Sequence, residues 1–297
     1  MTKILLTGAN GFLGKSIINE LSKDEVNFFC LSRTSGKYLI SLEHKIPIFE
    51  ETFDLIIHAA GKAHSIPRSE EEKKQFHDIN VIGTNNLLLG LEKKELPKQF
   101  VFISSVSVYG QEFGRDIKEE FPLVAKEPYG RSKIEAEKIV TDWCITNNVI
   151  CTILRLPLLV GKNPPGNLGA MIKAIKRGYY FNIANGKARK SMVLTKDVAS
   201  FISVVAPIGG VFNLTDGIHP SFFELSYAIS KKKSFSLPLF LAKIVGKIGD
   251  LVGDKSPLTS LKVNKITSDL TFDDSKARKL LNWKPESIID YLKTESF

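Results

Sequence analysis

The chain has 297 residues, 43% apolar and 25% charged, which fits a globular protein with one large core or two smaller ones and excludes a disordered or fibrous chain. The formal charge of +9 comes from basic residues spread along the whole length, so a solvated basic surface is expected and no nucleic-acid partner. Cys30, Cys144 and Cys151 lie in apolar stretches at spacings that suit neither a disulfide framework nor a metal site, which argues for reduced thiols in a cytoplasmic protein.

In chain order, Ile4-Leu5-Leu6 predicts a short buried strand, and the apolar run before Gly8 is too short for a signal peptide. Gly8-Ala9-Asn10-Gly11-Phe12-Leu13-Gly14 follows at once, and a helical repeat continues through Ile17, Ile18 and Leu21. Strand, glycine turn and helix make a phosphate cradle. The first glycine permits the turn, the second lets backbone approach a pyrophosphate, and the third lets the helix pack on the strand. A second strand, Val26 to Leu31, ends in Ser32-Arg33-Thr34. A dinucleotide fold that prefers NAD places a carboxylate about 20 residues past the loop; Arg33 stands here instead and suits the 2′-phosphate of NADP.

Ile46 to Phe49 reads as a short strand interrupted by Pro47, suited to an edge. Asp54 to Ala60 is a buried strand closing on Ala59-Ala60-Gly61, small residues that let a ligand lie against the backbone. A charged stretch around Glu70 to Lys74 precedes a helix from Phe76 to Glu92 that carries Asn80. Phe100 to Ile103 is the next strand and runs into Ser104-Ser105-Val106-Ser107-Val108-Tyr109-Gly110. Ligands of open α/β sheets bind beyond the carboxyl ends of strands, which puts these hydroxyls beside a substrate.

Pro128 opens a helix of about four turns, with Ile134, Ala136, Ile139, Val140 and Trp143 at helical spacing. Tyr129 and Lys133, at i and i+4, share one face about 6 Å apart, where an ammonium favours a phenolate. Tyr227 and Lys231 have the same spacing, and each tyrosine has a serine 24 residues upstream, Ser105 and Ser203. Ser203 falls inside a helical pattern, whereas Ser105 closes a strand of the nucleotide-binding sheet. The Tyr129 pair is therefore the candidate acid/base group.

Ile150 to Leu156, closing on Pro157, and Gly210 to Thr215 complete the strands, while the Pro-rich break at 162–169 starts a different rhythm. The stretch from Phe235 to Val252, interrupted by Lys243, Lys247 and Asp250, falls short of the ~20 residues that span a bilayer and is read as an amphipathic helix packed on its own protein, with a membrane-surface anchor as the lesser alternative. The predicted fold is α/β: a Rossmann doubly wound parallel sheet, 1–162 plus 191–218, with a smaller, mostly helical substrate-binding lobe, 163–190 plus 219–297.

Taken together, Gly8-x-x-Gly11-x-x-Gly14, Ala59-Ala60-Gly61, Asn80, Ser105 and Tyr129-x-x-x-Lys133 resemble the extended short-chain dehydrogenase/reductase family, in its branch of nucleotide-sugar epimerases, dehydratases and reductases. Asp274-Ser275-Lys276-Ala277 and Leu281-Asn282-Trp283-Lys284-Pro285 are similar to that family's carboxy-terminal signature. The resemblance implies Tyr129 as acid/base, Ser105 as hydrogen-bond partner of the reacting oxygen, and Lys133 as pKa modulator and ribose ligand. It further implies Gly8, Asn10, Gly11, Phe12, Leu13, Gly14, Ala59, Ala60, Gly61, Asn80 and Pro157 beside the cofactor. Asn167, Arg189 and Lys190 correspond to positions that bind the substrate's diphosphate. A homodimer built from the Asn80 and Tyr129 helices comes with the same likeness, and the residue spacings alone predict no metal.

The departures are equally specific. Val106 and Ser107 stand where the dehydratases have an Asp-Glu pair, Val160 where a tyrosine is usual, and Glu50 and Glu51 near the place of an aspartate. The segment from Leu237 to Gly253 followed by Leu258-Thr259-Ser260-Leu261 looks like bacterial reductases that make UDP-linked deoxyaminosugars for surface polysaccharide. The expected function is a 4-keto reductase of a UDP-linked nucleotide sugar using NADP (or NAD). A nucleotide-sugar 4-epimerase with retained NAD is the alternative, and a non-catalytic dinucleotide sensor or scaffold the third reading.

Overall fold

Ile4-Leu5-Leu6 offers solvent no polar side chain on either face, and in the computed structural model, which describes residues 1–63, 67, 69–253, 256 and 258–295, it lies inside a parallel sheet. The strands are β1 (Thr2–Thr7), β2 (Val26–Ser32), β3 (Tyr38–Leu39), β4 (Leu55–His58), β5 (Gln99–Ser105), β6 (Gly114–Ile117), β7 (Ile150–Leu156), β8 (Leu158–Val160), β9 (Asn182–Ile183), β10 (Met192–Leu194), β11 (Gly210–Asn213), β12 (Ser236–Leu237) and β13 (Leu270–Phe272). The helices are α1 (Phe12–Leu21), α2 (Glu70–His77), α3 (Gly83–Leu91), α4 (Pro128–Thr146), α5 (Gly166–Lys176), α6 (Thr195–Val205), α7 (Phe222–Ser230), α8 (Leu239–Val252), α9 (Ser260–Thr267), α10 (Ser275–Leu281) and α11 (Ile288–Thr294).

The main sheet has the order β11-β7-β5-β4-β1-β2-β3, with every neighbouring pair parallel. The chain reverses its direction of travel between β1 and β4, and that switch point opens a crevice at the strands' carboxyl ends. Successive residues feed opposite faces. Ile4, Leu6, Ile57, Val101 and Leu154 pack under Leu13 and Ile17 of α1 and Val198 and Ile202 of α6. Leu5, Ile56, Phe100, Phe102 and Ile153 pack under Leu87 and Leu88 of α3 and Ala136 and Val140 of α4. This is the Rossmann doubly wound sheet expected from the alternation of strands and helices.

Three details differ from the sequence reading. Residues 46–49 form no strand; the edge strand is Tyr38–Leu39, and Pro47 instead packs against α3, where a Cβ on Gly90 would come within 2.6 Å of its ring. The Asn80 helix starts earlier, at Glu70, because Ser69 caps it by accepting from the Glu72 N–H, and its charged first turns are solvated. It continues through a π-turn, Asp78–Ile82, into α3. The third detail concerns α8. It packs through Ala242, Gly246 and Gly249, and leaves its large apolar residues outside.

A second core gathers Val160, Leu168, Ile172, Met192, Leu194, Leu225, Ala228, Ile288 and Leu292 from β8, α5, β10, α7 and α11. The late residues also return to the first core. Trp283 is buried against Phe201 of α6, ring centroids 4.7 Å apart, and its indole N–H donates to the Thr215 carbonyl at 2.9 Å. Replacing Trp283 by Ala should lower the unfolding free energy by ~3–5 kcal/mol, read from denaturant melts, because it deletes a buried aromatic side chain and orphans a carbonyl.

Candidate active site

The glycine loop is shaped by contacts that a side chain would break. Gly8 has φ +75°, and a Cβ on it would fall 2.7 Å from the Ala59–Ala60 backbone. A Cβ on Gly14 would lie 2.1 Å from the Gly8 carbonyl oxygen, which accepts from the Gly11 N–H at 2.9 Å. No side chain caps α1, so its leading N–H groups are left to an anion. The cradle therefore fits a pyrophosphate. Asn10 fastens the loop to the end of β2, its Nδ2 donating to Ser32, Thr34 and Ser35 hydroxyls at 3.1, 3.0 and 2.9 Å. The Leu13 side chain belongs to the core, and the Phe12 ring lies against Gly161.

Behind this loop runs a chain of buried hydrogen bonds. The Thr84 hydroxyl donates to the Asn80 carbonyl at 2.6 Å, so its oxygen accepts from His58 Nε2–H at 2.9 Å. His58 Nδ1 then accepts from the Thr7 hydroxyl at 2.6 Å, whose oxygen accepts from the Ala60 N–H at 3.1 Å. One tautomer satisfies every member. Burial, helped by the Lys133 charge, pushes the imidazole pKa down to about 3, and His58 stays neutral. The Asn80 side chain continues the brace: Oδ1 accepts from the Lys62 N–H at 2.7 Å, and Nδ2 donates to the Lys62 carbonyl and to Ser132 Oγ at 3.1 and 2.9 Å. Ser132 in turn donates to the Tyr129 carbonyl at 2.8 Å. Thus the π-turn that carries Asn80 fixes both the loop after β4 and the first turn of α4.

Ser105, Tyr129 and Lys133 converge from β5 and α4. Ser105 starts a turn by accepting from the Ser107 N–H at 3.2 Å, and it hydrogen-bonds the Tyr129 phenol. Lys133 is buried, donates to the Ile103 carbonyl at 2.8 Å and sits 4.4 Å from the Phe102 ring centroid. Burial brings its pKa down to about 8, against the pull of Glu137. The spacing of Tyr129 and Lys133 predicts a lowered tyrosine pKa. Instead burial raises it, and the Ser105 hydrogen bond offsets only part of that rise. Glu137, one turn beyond Lys133, is engaged elsewhere: Arg155 donates to it through Nη2 at 2.8 Å and Nε at 3.1 Å, and Ser104 through Oγ at 2.5 Å.

Comparison with known proteins meets this geometry directly. The model of the NAD dependent epimerase/dehydratase family matches residues 4–214, from β1 to the end of the main sheet. The chain belongs to that family. Among curated relatives it is 26% identical to the N-acetyl-alpha-D-glucosaminyl-diphospho-ditrans,octacis-undecaprenol 4-epimerase of Escherichia coli O157:H7, over 92% of this chain and 88% of the relative. It is 31% identical to the GDP-6-deoxy-D-mannose reductase of Pseudomonas aeruginosa, over 48% of each chain. Among solved structures, the UDP-glucuronic acid 4-epimerase of Bacillus cereus in complex with UDP-glucuronic acid and NAD superposes with a TM-score of 0.76 at 19% identity, covering 99% of this chain and 97% of that one. The nicotinamide dinucleotide of the epimerase/dehydratase family is the group that the glycine cradle fits.

The other residues singled out in the sequence fall into three groups. Ala59, Ala60 and Gly61 line the crevice, with Gly61 so close to Asn80 that a Cβ would lie 3.0 Å from its Oδ1. Pro157 links β7 to β8 at the same edge. Arg33 is exposed, 3.9 Å from Glu43, and Asn167 is exposed in the first turn of α5. Arg189 donates to the His219 carbonyl at 2.9 Å, and Lys190 to the Ser268 carbonyl at 3.0 Å with its pKa lowered by burial. Departures from the epimerase/dehydratase pattern have their own partners. Glu51 pairs with Lys37 at 2.8 Å, and Val160 lies in the second core.

Tyr227 and Lys231 form no comparable site: Tyr227 is exposed, and Lys231 leaves the helix with φ +57° to donate to the Lys293 carbonyl. Among the described residues no cluster of His, Cys, Asp or Glu could hold a metal. Sequence reasoning missed Thr7, His58, Thr84 and Ser132; the Ser107 hydroxyl, one of those expected beside a substrate, is buried and has no partner within the protein. The one available signal was a histidine closing a wholly apolar strand. Because His58 is neutral when folded but takes a proton near the ordinary histidine value of 6.5 when unfolded, stability should fall as pH drops from 6.5 toward about 3. The slope is about 1.4 kcal/mol per pH unit for this one group. Denaturant melts of His58→Gln against the parent across that window should show this component gone.

Proposed function

We propose that the protein transfers hydride at C4 of a nucleotide-linked sugar, as an NADPH-dependent 4-keto reductase of a UDP-linked deoxyaminosugar. The observation that carries this reading is the end of β2. Ser32-Arg33-Thr34-Ser35 contains no acid and presents to a 2′-phosphate a guanidinium whose side chain is 68% exposed; the carboxylate beside it, Glu43, lies 3.9 Å from the Arg33 guanidinium. A cofactor of that kind serves a reductase that draws on a free reduced pool.

A bound nicotinamide supplies the hydride. Lys133, oriented by Ile103 and Phe102, uses its remaining N–H groups on ribose hydroxyls. Ser105 and Tyr129 hold the C4 oxygen, and Tyr129 Oη gives it a proton as the ketone becomes an alcohol. Burial keeps the phenol protonated, the form in which it can give that proton. Arg189, Lys190 and Asn167 face the diphosphate. That group is common to nucleotide sugars and to the lipid-linked sugar named for the E. coli relative. The same reading includes a homodimer built on the Asn80 and Tyr129 helices, a cytoplasmic site of action and a role in surface polysaccharide synthesis.

A 4-epimerase with retained NAD is the second reading, favoured by the relative that matches 92% of this chain and carries that activity in its name. Dinucleotide released from the purified protein separates the two. No bound NAD, with consumption of NADPH on a UDP-4-keto sugar, supports the reductase; tightly held NAD assigns the epimerase. Tyr129→Phe should cut turnover by ~10²–10⁴ with dinucleotide affinity retained, while Tyr227→Phe leaves turnover unchanged. Arg33→Ala should weaken NADPH binding by about ten- to a hundredfold and leave NADH binding unaltered, measured by titration calorimetry.

A further inference from the structure

α8 is built inside out. An ordinary surface helix turns its large apolar residues to the core, yet here the inward residues are Ala242, Gly246 and Gly249. They let α8 lie directly on the segment leading into α9: a Cβ on Gly249 would stand 1.9 Å from the Leu258 carbonyl oxygen, and one on Gly246 would stand 3.1 Å from the Ser260 nitrogen. The closeness leaves no room for the helix to roll and bury larger side chains. Phe240, Ile244, Val245, Ile248, Leu251 and Val252 are consequently exposed, Phe240 by 63% and Leu251 by 89%. At 3.6 residues per turn these six cover an arc of about 140°, a continuous apolar stripe on a solvent face.

The charged side chains next to the stripe on α8 itself are lysines. Lys243 and Lys247 border it along one side, and Lys231-Lys232-Lys233 and the exposed Phe235 precede the helix. The acid on the helix, Asp250, is engaged in accepting from the Ser260 N–H at 2.9 Å. Residues 231–253 thus hold five lysines, 231, 232, 233, 243 and 247, against one aspartate. Among the described residues no helix is long and apolar enough to cross a membrane, and 14 residues of helix extend only about 21 Å.

We propose that α8 is a membrane-docking helix that lies in the plane of an anionic bilayer. Its apolar stripe enters the acyl boundary while Lys243, Lys247, Lys232 and Lys233 meet lipid phosphates. A second copy of this chain fits less well, because a two-fold contact through one patch sets lysine against lysine. The proposal is independent of the reductase reading.

Co-sedimentation of the full chain with phosphatidylcholine vesicles, with and without phosphatidylglycerol, tests it. Binding is expected to the anionic vesicles and to weaken in high salt. The double substitution Ile244→Glu/Ile248→Glu should reduce the bound fraction by about tenfold or more, with melting temperature and dinucleotide affinity unchanged. Lys243→Glu/Lys247→Glu should remove the preference for anionic lipid. A parent protein that stays in the supernatant overturns the proposal. So does sedimentation velocity in which Ile244→Glu/Ile248→Glu splits a dimer, since that outcome makes the stripe a contact between copies.

Discussion

α4 carries a buried ammonium and a buried carboxylate one turn apart, and the site depends on their not neutralising each other. Lys133 and Glu137 are close enough for Glu137 to influence the lysine's pKa. Were they paired, the ammonium would have little left to offer a ligand. Arg155 prevents it by taking Glu137 with two nitrogens, and Ser104 takes the same carboxylate from the neighbouring strand. A buried pair of this kind gains little net stability over a well-packed apolar pair, so its worth lies in specification. Arg155 also reaches the Tyr109 hydroxyl and the Glu119 carbonyl, and Tyr109 donates to Asn213 Oδ1. One guanidinium thereby registers β7, β5, α4 and the edge strand β11 around the lysine.

The second constraint comes from neutral polar groups. Thr7, His58, Thr84 and Asn80 join β1, β4 and the π-turn without placing a charge beneath the nucleotide cradle. A protonated imidazole there would oppose Lys133 across a low-dielectric interior, and burial keeps the ring neutral instead. The cradle and the acid/base pair are therefore braced by one polar relay that never reaches the surface.

Much of this could be read from residue order. Gly8, Gly11 and Gly14 sit between a strand and a helix because backbone must approach backbone there, and the contacts at 2.1 and 2.7 Å bear out that reason. The strand that precedes Tyr129 separates it from Tyr227, and the fold agrees, since Lys231 is not helical at all. What stayed hidden had no periodic signature. His58 ends an apolar run, and only the fold shows that both ring nitrogens have partners, Thr7 on β1 and Thr84 on α3. The two-residue strand Tyr38–Leu39 is too short to leave a pattern. For α8 the periodicity was correct and the side was wrong: amphipathic spacing reports that two faces differ, and small residues can claim the inner one.

The helix that follows the glycine loop has a consequence for how the protein is made. α1 is complete by Leu21, yet it packs on α6, and the Ser16 hydroxyl donates to Thr195 Oγ1 across a separation of 179 residues. Trp283 comes later still and closes over Phe201. A nascent chain leaving the ribosome must therefore hold its first βα unit uncovered until about two thirds of the polypeptide has emerged, and contacts of such long range fold slowly. The most chemically specific segment of the molecule is among the first to be synthesised and among the last to find its full set of neighbours.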